Sequence, residues 1–241
     1  MPELVGPQPL GPEPLVAVII PALNEAGKIG RVLDKIPGDG RFEAIVVDDG
    51  STDGARELLE QATLDGRVKL FFHDRNRGKG AALRTGFGHV KGEIVAIQDA
   101  DLEYDPNEFI EMIRPIREGV ADVVYGSRLS RGKPQRVHLF WHRIGNGFLT
   151  FVTDLLYNTT LSDMETCYKM FRKEVLETIR IESDDFSVEP ELTAKICKNK
   201  RWRVYEIPIS YYGRSYAEGK KISWRHGISA LWTLLKYRFI T

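Results

Sequence analysis

From Leu15 onward the chain alternates short apolar runs with amphipathic stretches: LVAVII then NEAGKIGRVLDKI, FEAIVV then DGARELLEQAT, RVKLFF then GKGAALRTGFGHV, EIVAIQ then PNEFIEMIRPI, and last ADVVYG. Apolar β-rich runs of this length, each followed by a segment of helical periodicity, predict a mostly parallel α/β sheet covered by helices on both faces. Sheets of that kind bind ligands at the carboxyl ends of their strands. Polar residues gather at those ends here: Asn24 and Glu25 after the first run, Asp48 and Asp49 after the second, Asp99 and Asp101 after the fourth. Any one of them alone fits a helix cap, because Asp and Asn accept the free N–H groups of a first turn. As a set they predict one polar crevice.

Beyond Gly126 the alternation stops. SRLSRGKPQR reads as a basic loop, and the segment from Leu139 to Leu156 sets Phe140, Trp141, Ile144, Phe148, Phe151, Val152 and Leu155 at helical spacing. RWRVYEIPISYY reads as a strand. The last stretch repeats apolar residues at Trp224, Ile228, Leu231, Trp232, Leu235 and Phe239, one face of a C-terminal amphipathic helix. Aromatic residues with basic neighbours have the composition of helices at a membrane interface. Packing on the core or in a homodimer is the alternative, since an apolar stripe normally faces a core. The expected organisation is a disordered, Pro-rich arm over 1–14, one domain over 15–221 and the amphipathic helix over 222–241. No run of 18 or more apolar residues occurs, so no single helix is expected to span a bilayer.

Composition narrows the function classes. Lys+Arg and Asp+Glu number 34 each in 241 residues, so no global basic field argues for nucleic acid and any anion site must be local. Cys167 and Cys197 are far apart and form no CxxC, which argues against zinc and disulfides and fits a cytoplasmic protein. There is no GxxxxGK[ST], no GxGxxG in the first unit and no GxSxG elbow, which leaves out the P-loop, the usual dinucleotide cradle and a hydrolase triad.

What remains is IVAIQDADLEYDP. In an extended segment Asp99 and Asp101 point the same way, with Glu103 one alternation further, so these carboxylates would face one hard cation such as Mg²⁺ or Mn²⁺. Such an ion would keep open positions for diphosphate oxygens. The competing reading of an isolated DxD is that Asp101 and Asp105 cap the next helix, with Pro106 at its first position. AIVVDDGSTDGA ends a strand in two acids and a tight turn, where a carboxylate can accept bonds from a nucleobase edge or a ribose. GKG at 78–80 opens a helix, where free N–H groups and Lys79 would attract phosphate. Arg128, Arg131, Lys133, Arg136, Arg143, Arg214 and Lys220 form a basic set in a neutral protein; Arg131, Lys133 and Arg136 read as a solvated loop, whereas Arg128 directly follows the fifth strand.

Taken together, PALNEAGKI, VVDDGSTDGA, NRGKGAALRTGF, GEIVAIQDADLEYDP, DVVYGSR, SDMETCYKMFRKEVL and EIPISYYGRSYAEGKK resemble the family 2 glycosyltransferases of the GT-A fold, in particular the group of dolichol-phosphate mannose and glucose synthases. The resemblance runs from about Val16 to Lys221. It implies the Rossmann-like GT-A sheet and an inverting transfer of glucose or mannose from UDP-glucose or GDP-mannose, with Mg²⁺ or Mn²⁺. By match to the family pattern, Pro21, Leu23, Glu25, Val47 and Asp49 would line the nucleoside pocket. Asp99, Ala100 and Asp101 would meet the diphosphate and its metal. Glu103 stands where relatives carry Gln. Arg128, Arg214 and Lys220 would contact phosphate, and Arg143 is the nearest candidate to hold the acceptor phosphate.

Two acceptors fit such a family. A sugar hydroxyl must lose a proton as it attacks and wants a carboxylate base, whereas a polyprenyl phosphate is already anionic and wants cations. The basic residues beside the crevice favour the polyprenyl phosphate, with the enzyme peripheral on the cytoplasmic face of the membrane. Glu189 in FSVEPEL is the one acid that reads either as a base or as the support of a crevice cation. A transferase to a hydroxyl acceptor of a cell-envelope polysaccharide or glycolipid, and a silent nucleotide-sugar-binding subunit, are the rival readings.

Overall fold

The computed structural model describes residues 10, 15–63, 68–137, 140–214 and 224–240. The N-terminal arm lies almost wholly outside the described residues, and Lys220 lies outside them as well. The strands are β1 (Val16–Ala22), β2 (Phe42–Asp48), β3 (Val68–Phe72), β4 (Ile94–Ile97), β5 (Val123–Ser127), β6 (Lys169–Arg172) and β7 (Val204–Pro208). The helices are α1 (Ala26–Lys35), α2 (Ala55–Ala62), α3 (Lys79–Phe87), α4 (Phe109–Arg117), α5 (Phe140–Tyr157), α6 (Lys173–Glu177), α7 (Val188–Lys198) and α8 (Trp224–Phe239). They build one seven-stranded sheet in the order β3-β2-β1-β4-β6-β5-β7.

Every pairing is parallel except those of β6, which runs antiparallel between β4 and β5. The order reverses at β1, with β2 on one side and β4 on the other, and that is where an open parallel sheet leaves a crevice at its carboxyl edge. Both faces are covered, as the strand composition demands. Val16, Val18 and Ile20 join the core under α1 and α4, while Ala17 and Ile19 join the core under α3, α5, α7 and α8, the period-two alternation of a strand buried on both sides.

β6 is absent from the sequence reading. Its four residues include Lys169 and Arg172, yet both are buried. They are tolerated because distant acids meet them: Glu189 at 2.6 Å from Lys169, and Asp122 at 3.7 Å from Arg172. Charges inside a strand erase the apolar signal, and partners far along the chain restore the balance.

The two amphipathic helices stand at the expected places, but the faces need correction. α5 buries Leu149, Thr150, Thr153 and Tyr157, and α8 buries Ala230, Thr233, Leu234 and Tyr237. Most of the apolar stripe read from the sequence points outward, with Trp141 77%, Phe151 63%, Leu155 72% and Trp232 60% exposed. Only the inner margin of the stripe, Val152 and Leu231, packs on the chain's own core.

Candidate functional site

At the carboxyl edge of β1, β4 and β5 lies a cavity of about 1110 Å³. Pro21, Leu23, Glu25, Asp49, Asp99, Ala100, Asp101, Glu103, Arg128, Arg143 and Arg214 all line it, so the structure gathers nearly every described residue singled out above. Of the residues expected to line the nucleoside pocket, Val47 is the exception. It is fully buried within β2 and is not among the lining residues.

The turns at this edge brace one another. Asn24, with a left-handed φ of 54°, donates its N–H to the Ser51 hydroxyl and accepts from Thr52 N–H through its side chain. Asp53 accepts from Ala26 N–H, so the β1 and β2 turns are stitched together before any ligand arrives. Asp49 is also engaged: His73 Nδ1 lies 2.6 Å from it, and Arg77 and Gly78 donate their N–H groups at 2.9 and 2.8 Å. Its first duty is to hold the segment leading into α3.

That segment departs from the phosphate cradle the sequence suggested. Gly78 has φ +96°, and a Cβ there would stand 2.3 Å from the Asp184 carbonyl oxygen. Glycine is needed for the close approach of two backbones. Lys79 points inward, 2.6 Å from Asp99 and 3.0 Å from Glu189, and Glu189 also meets Lys169 at 2.6 Å. The result is a buried chain of alternating charge, Asp99–Lys79–Glu189–Lys169. Burial alone would raise the Glu189 carboxyl, but the two ammonium groups more than offset it and hold it down to about 2. Glu189 is thus the support of a crevice cation, and a poor base.

Arg214 is the second cation of the acid cluster. Its guanidinium reaches Asp101, Glu103 at 2.9 Å and Glu25 at 3.2 Å, and its backbone N–H also donates to Glu103. Tyr211 donates its hydroxyl to Glu103 at 2.8 Å. These bonds outweigh the effect of burial and lower the Glu103 carboxyl. Asp101 goes the other way, raised to about 7 by burial and by the charges of Asp99 and Glu103. The helix-cap reading of this segment applies to Asp105, whose side chain accepts from Asn107 N–H ahead of Pro106, and not to Asp101.

Among the described residues no set of three or more His, Cys, Asp or Glu side chains is arranged as a ready metal cage. Lys79 and Arg214 take the carboxylates instead. The chemistry of the donor set nevertheless suits a hard cation: only oxygens are offered, and the repulsion that raises Asp101 is what a divalent ion would relieve.

Arg128 forks onto buried Asp163 with two bonds of 2.7 Å, and Asn146 completes that carboxylate at 2.9 Å. The fork holds Asp163 below the usual carboxylate range against the effect of burial. Arg143 stands exposed on α5 at the cavity wall. Arg136, read as a loop residue, also lines the cavity and donates to the Gly213 carbonyl at 2.6 Å. Lys133 binds Glu111 at 2.7 Å on the surface, as a solvated loop residue would.

Sequence reasoning missed Glu165. It lines the cavity, its Oε1 is buried without a hydrogen-bond partner among the described residues, and burial pushes its carboxyl up to about 7. An acid just ahead of a strand at the carboxyl edge would have flagged it, had β6 been legible.

A sheet of this order with an acid-lined crevice at its switch point is the architecture of nucleotide-diphospho-sugar transferases. The chain belongs to glycosyl transferase family 2, whose model matches residues 17–180. It is 28% identical to the glycosyltransferase AglJ of Haloferax volcanii over 83% of this chain and 63% of that protein. It is 26% identical to the UDP-N-acetylglucosamine–dolichyl-phosphate N-acetylglucosaminyltransferase of Methanococcus voltae, over 92% of this chain and 95% of that one. The chain thus spans less than two thirds of some curated relatives and nearly the whole of others. The GT-A fold is shared with glucosyl-3-phosphoglycerate synthase of Mycobacterium tuberculosis, whose crystal structure holds Mn²⁺, UDP and phosphoglyceric acid (TM-score 0.69, 20% identity, 95% of this chain and 80% of that one).

Proposed function

We propose that this protein is a metal-dependent, inverting hexosyltransferase that moves glucose or mannose from a nucleotide-diphosphate sugar to a polyprenyl phosphate while bound peripherally to a membrane. The observation that carries the reading is a cavity with two unlike walls. One wall holds Asp99, Asp101, Arg128 and Arg214; the other holds Trp141, Phe148, Ile228 and Leu231. The apolar wall runs out into the exposed stripe of α5 and α8, so a ligand with a phosphate head and a long apolar tail matches both ends. Among the described residues no helix is long and apolar enough to cross a membrane. The named activity of the Methanococcus voltae relative supports an acceptor of this class.

In this reading Pro21, Leu23, Glu25 and Asp49 border the nucleoside, and Asp99, Ala100 and Asp101 border the diphosphate. Asp99 and Asp101 would hold Mg²⁺ or Mn²⁺, with Glu103 the least available because Arg214 and Tyr211 already occupy it. The ion would offset charge growing on the leaving diphosphate. Arg128 and Arg143 orient the acceptor phosphate, whose oxygen attacks the anomeric carbon from the side opposite the diphosphate. No base is demanded of the protein for an ionised phosphate, in keeping with the low proton affinity of Glu189.

The test is nucleoside diphosphate release from UDP-glucose or GDP-mannose with Mn²⁺ or Mg²⁺ and a short polyprenyl phosphate. Release is expected to need the lipid phosphate and to fall by roughly 10³-fold in Asp101→Ala. Release that ignores the lipid but follows an added sugar hydroxyl would move the reading to a hydroxyl acceptor.

A further inference from the structure

Glu165 is an acid whose Oε1 finds no hydrogen-bond partner among the described residues. It lies just ahead of β6, whose antiparallel course brings its first residue, Lys169, opposite Tyr125 of β5, at the edge where β4 and β5 end. It shares the cavity with Asp101 and Arg128. Both cations nearest to it are already committed: Arg128 forks onto Asp163, and Lys169 meets Glu189 and the Thr166 carbonyl. Its Oε1 is buried with no hydrogen-bond partner, an arrangement that costs stability unless a ligand completes it.

Resting on the transfer reading above, we infer that Glu165 reads a hydroxyl group of the transferred hexose. The elimination is chemical. A carboxyl oxygen without a partner calls for a hydrogen-bond donor. The diphosphate and the acceptor phosphate offer acceptors and like charge, and the acceptor's tail is apolar. The donor groups of a nucleoside fall toward β1 and β2, beyond the Asp99–Asp101 segment. The hexose has to lie between that segment and Arg128; Glu165 lines the same cavity near enough to Arg128 to feel its charge, and the hexose hydroxyls are donors.

The experiment compares kcat/KM for the hexose donor that the wild type uses with kcat/KM for its 2-, 3-, 4- and 6-deoxy analogues, in wild type and Glu165→Ala. A site built to bond a hydroxyl rejects the analogue lacking it, so the wild type should lose about hundredfold or more at one position. At that position Glu165→Ala should lose little further, because both changes delete the same contact, while losses at the other positions add. Should the alanine variant fail to fold, Glu165→Leu repeats the comparison with the volume kept. Additive losses at every position, or an equal fall on all donors, would overturn the inference and leave the transfer reading standing. A wild type that turns over none of the donors overturns both.

Discussion

Glu165 lines the crevice and Glu189 lies behind it against Lys79, and the two carboxylates meet opposite electrostatic surroundings. Glu189 lies between Lys79 and Lys169 and is held down to about 2, while Glu165 has a buried oxygen with no partner and is pushed up to about 7. The first is part of the scaffold: its charge is matched inside the chain and it keeps Lys79 aimed at Asp99. The second carries a local cost that only something from outside can relieve. A buried acid with its partners present reports on folding, and a buried acid without them reports on a ligand.

The largest expected effect breaks the paired side. Glu189→Gln leaves Lys169 buried without its countercharge and takes one of the two acids from Lys79, and should cost about 3–5 kcal/mol in urea unfolding. Because Glu189 is depressed in the folded state, its contribution is complete above the ordinary carboxylate value of 4.5 and is lost as pH falls toward 2, so the deficit should shrink in acid. A deficit below about 1 kcal/mol would dissolve the comparison.

Glu165→Gln should go the other way. A carboxyl raised in the folded state destabilises progressively from 4.5 up to about 7, so the amide should gain about 1–3 kcal/mol at pH 8 and nothing at pH 4, read by thermal melts at both values. A loss of stability at pH 8 would mean that Glu165 has a partner after all.

Arg214→Gln sits between these cases, since it turns the paired acids Asp101, Glu103 and Glu25 toward the condition of Glu165. It should lower stability by about 1–2 kcal/mol, and millimolar Mn²⁺ should restore more stability to the variant than it adds to the wild type. Equal shifts in both proteins would show that the guanidinium and the ion do not compete for the same oxygens.

The smallest effect belongs to the outer face. Phe151→Ser and Trp232→Ser should change stability by no more than about 0.5 kcal/mol, because these side chains stand in solvent. Both should nonetheless weaken flotation with anionic, polyprenyl-containing liposomes. Protein that stays wholly unbound in the wild type would remove the membrane from the reading.

Much of this was legible in the chain. β1, β2, β4 and β5 announced themselves because their buried residues are largely apolar on both faces, the half-buried edge strands β3 and β7 because they too are rich in apolar residues, and the crevice followed from where the strands end. Asp99, Asp101 and Asp49 were found for the same reason. β6 was hidden because its charges are matched by Glu189 and Asp122, which no local window contains. Glu165 was hidden with it. Lys79 was found but its partners were not, since only the packing of Gly78 and Gly80 against 183–185 and the ion pairs to Asp99 and Glu189 show how its ammonium is engaged. The stripe on α5 and α8 was seen, but periodicity gives a face without saying what lies against it.

The place of β6 sets an order of assembly. β1 to β4 can pair as soon as they are made, but the free edge of β4 must wait until residues 169–172 leave the ribosome, and β5, already synthesised, joins the sheet only through that late strand. For that interval a growing chain carries an open, apolar sheet edge, the kind of surface on which nascent proteins aggregate. The same late step brings Arg128 and Glu165 to the half-built crevice, so a stalled or truncated product can own the acid cluster and still lack the acceptor side.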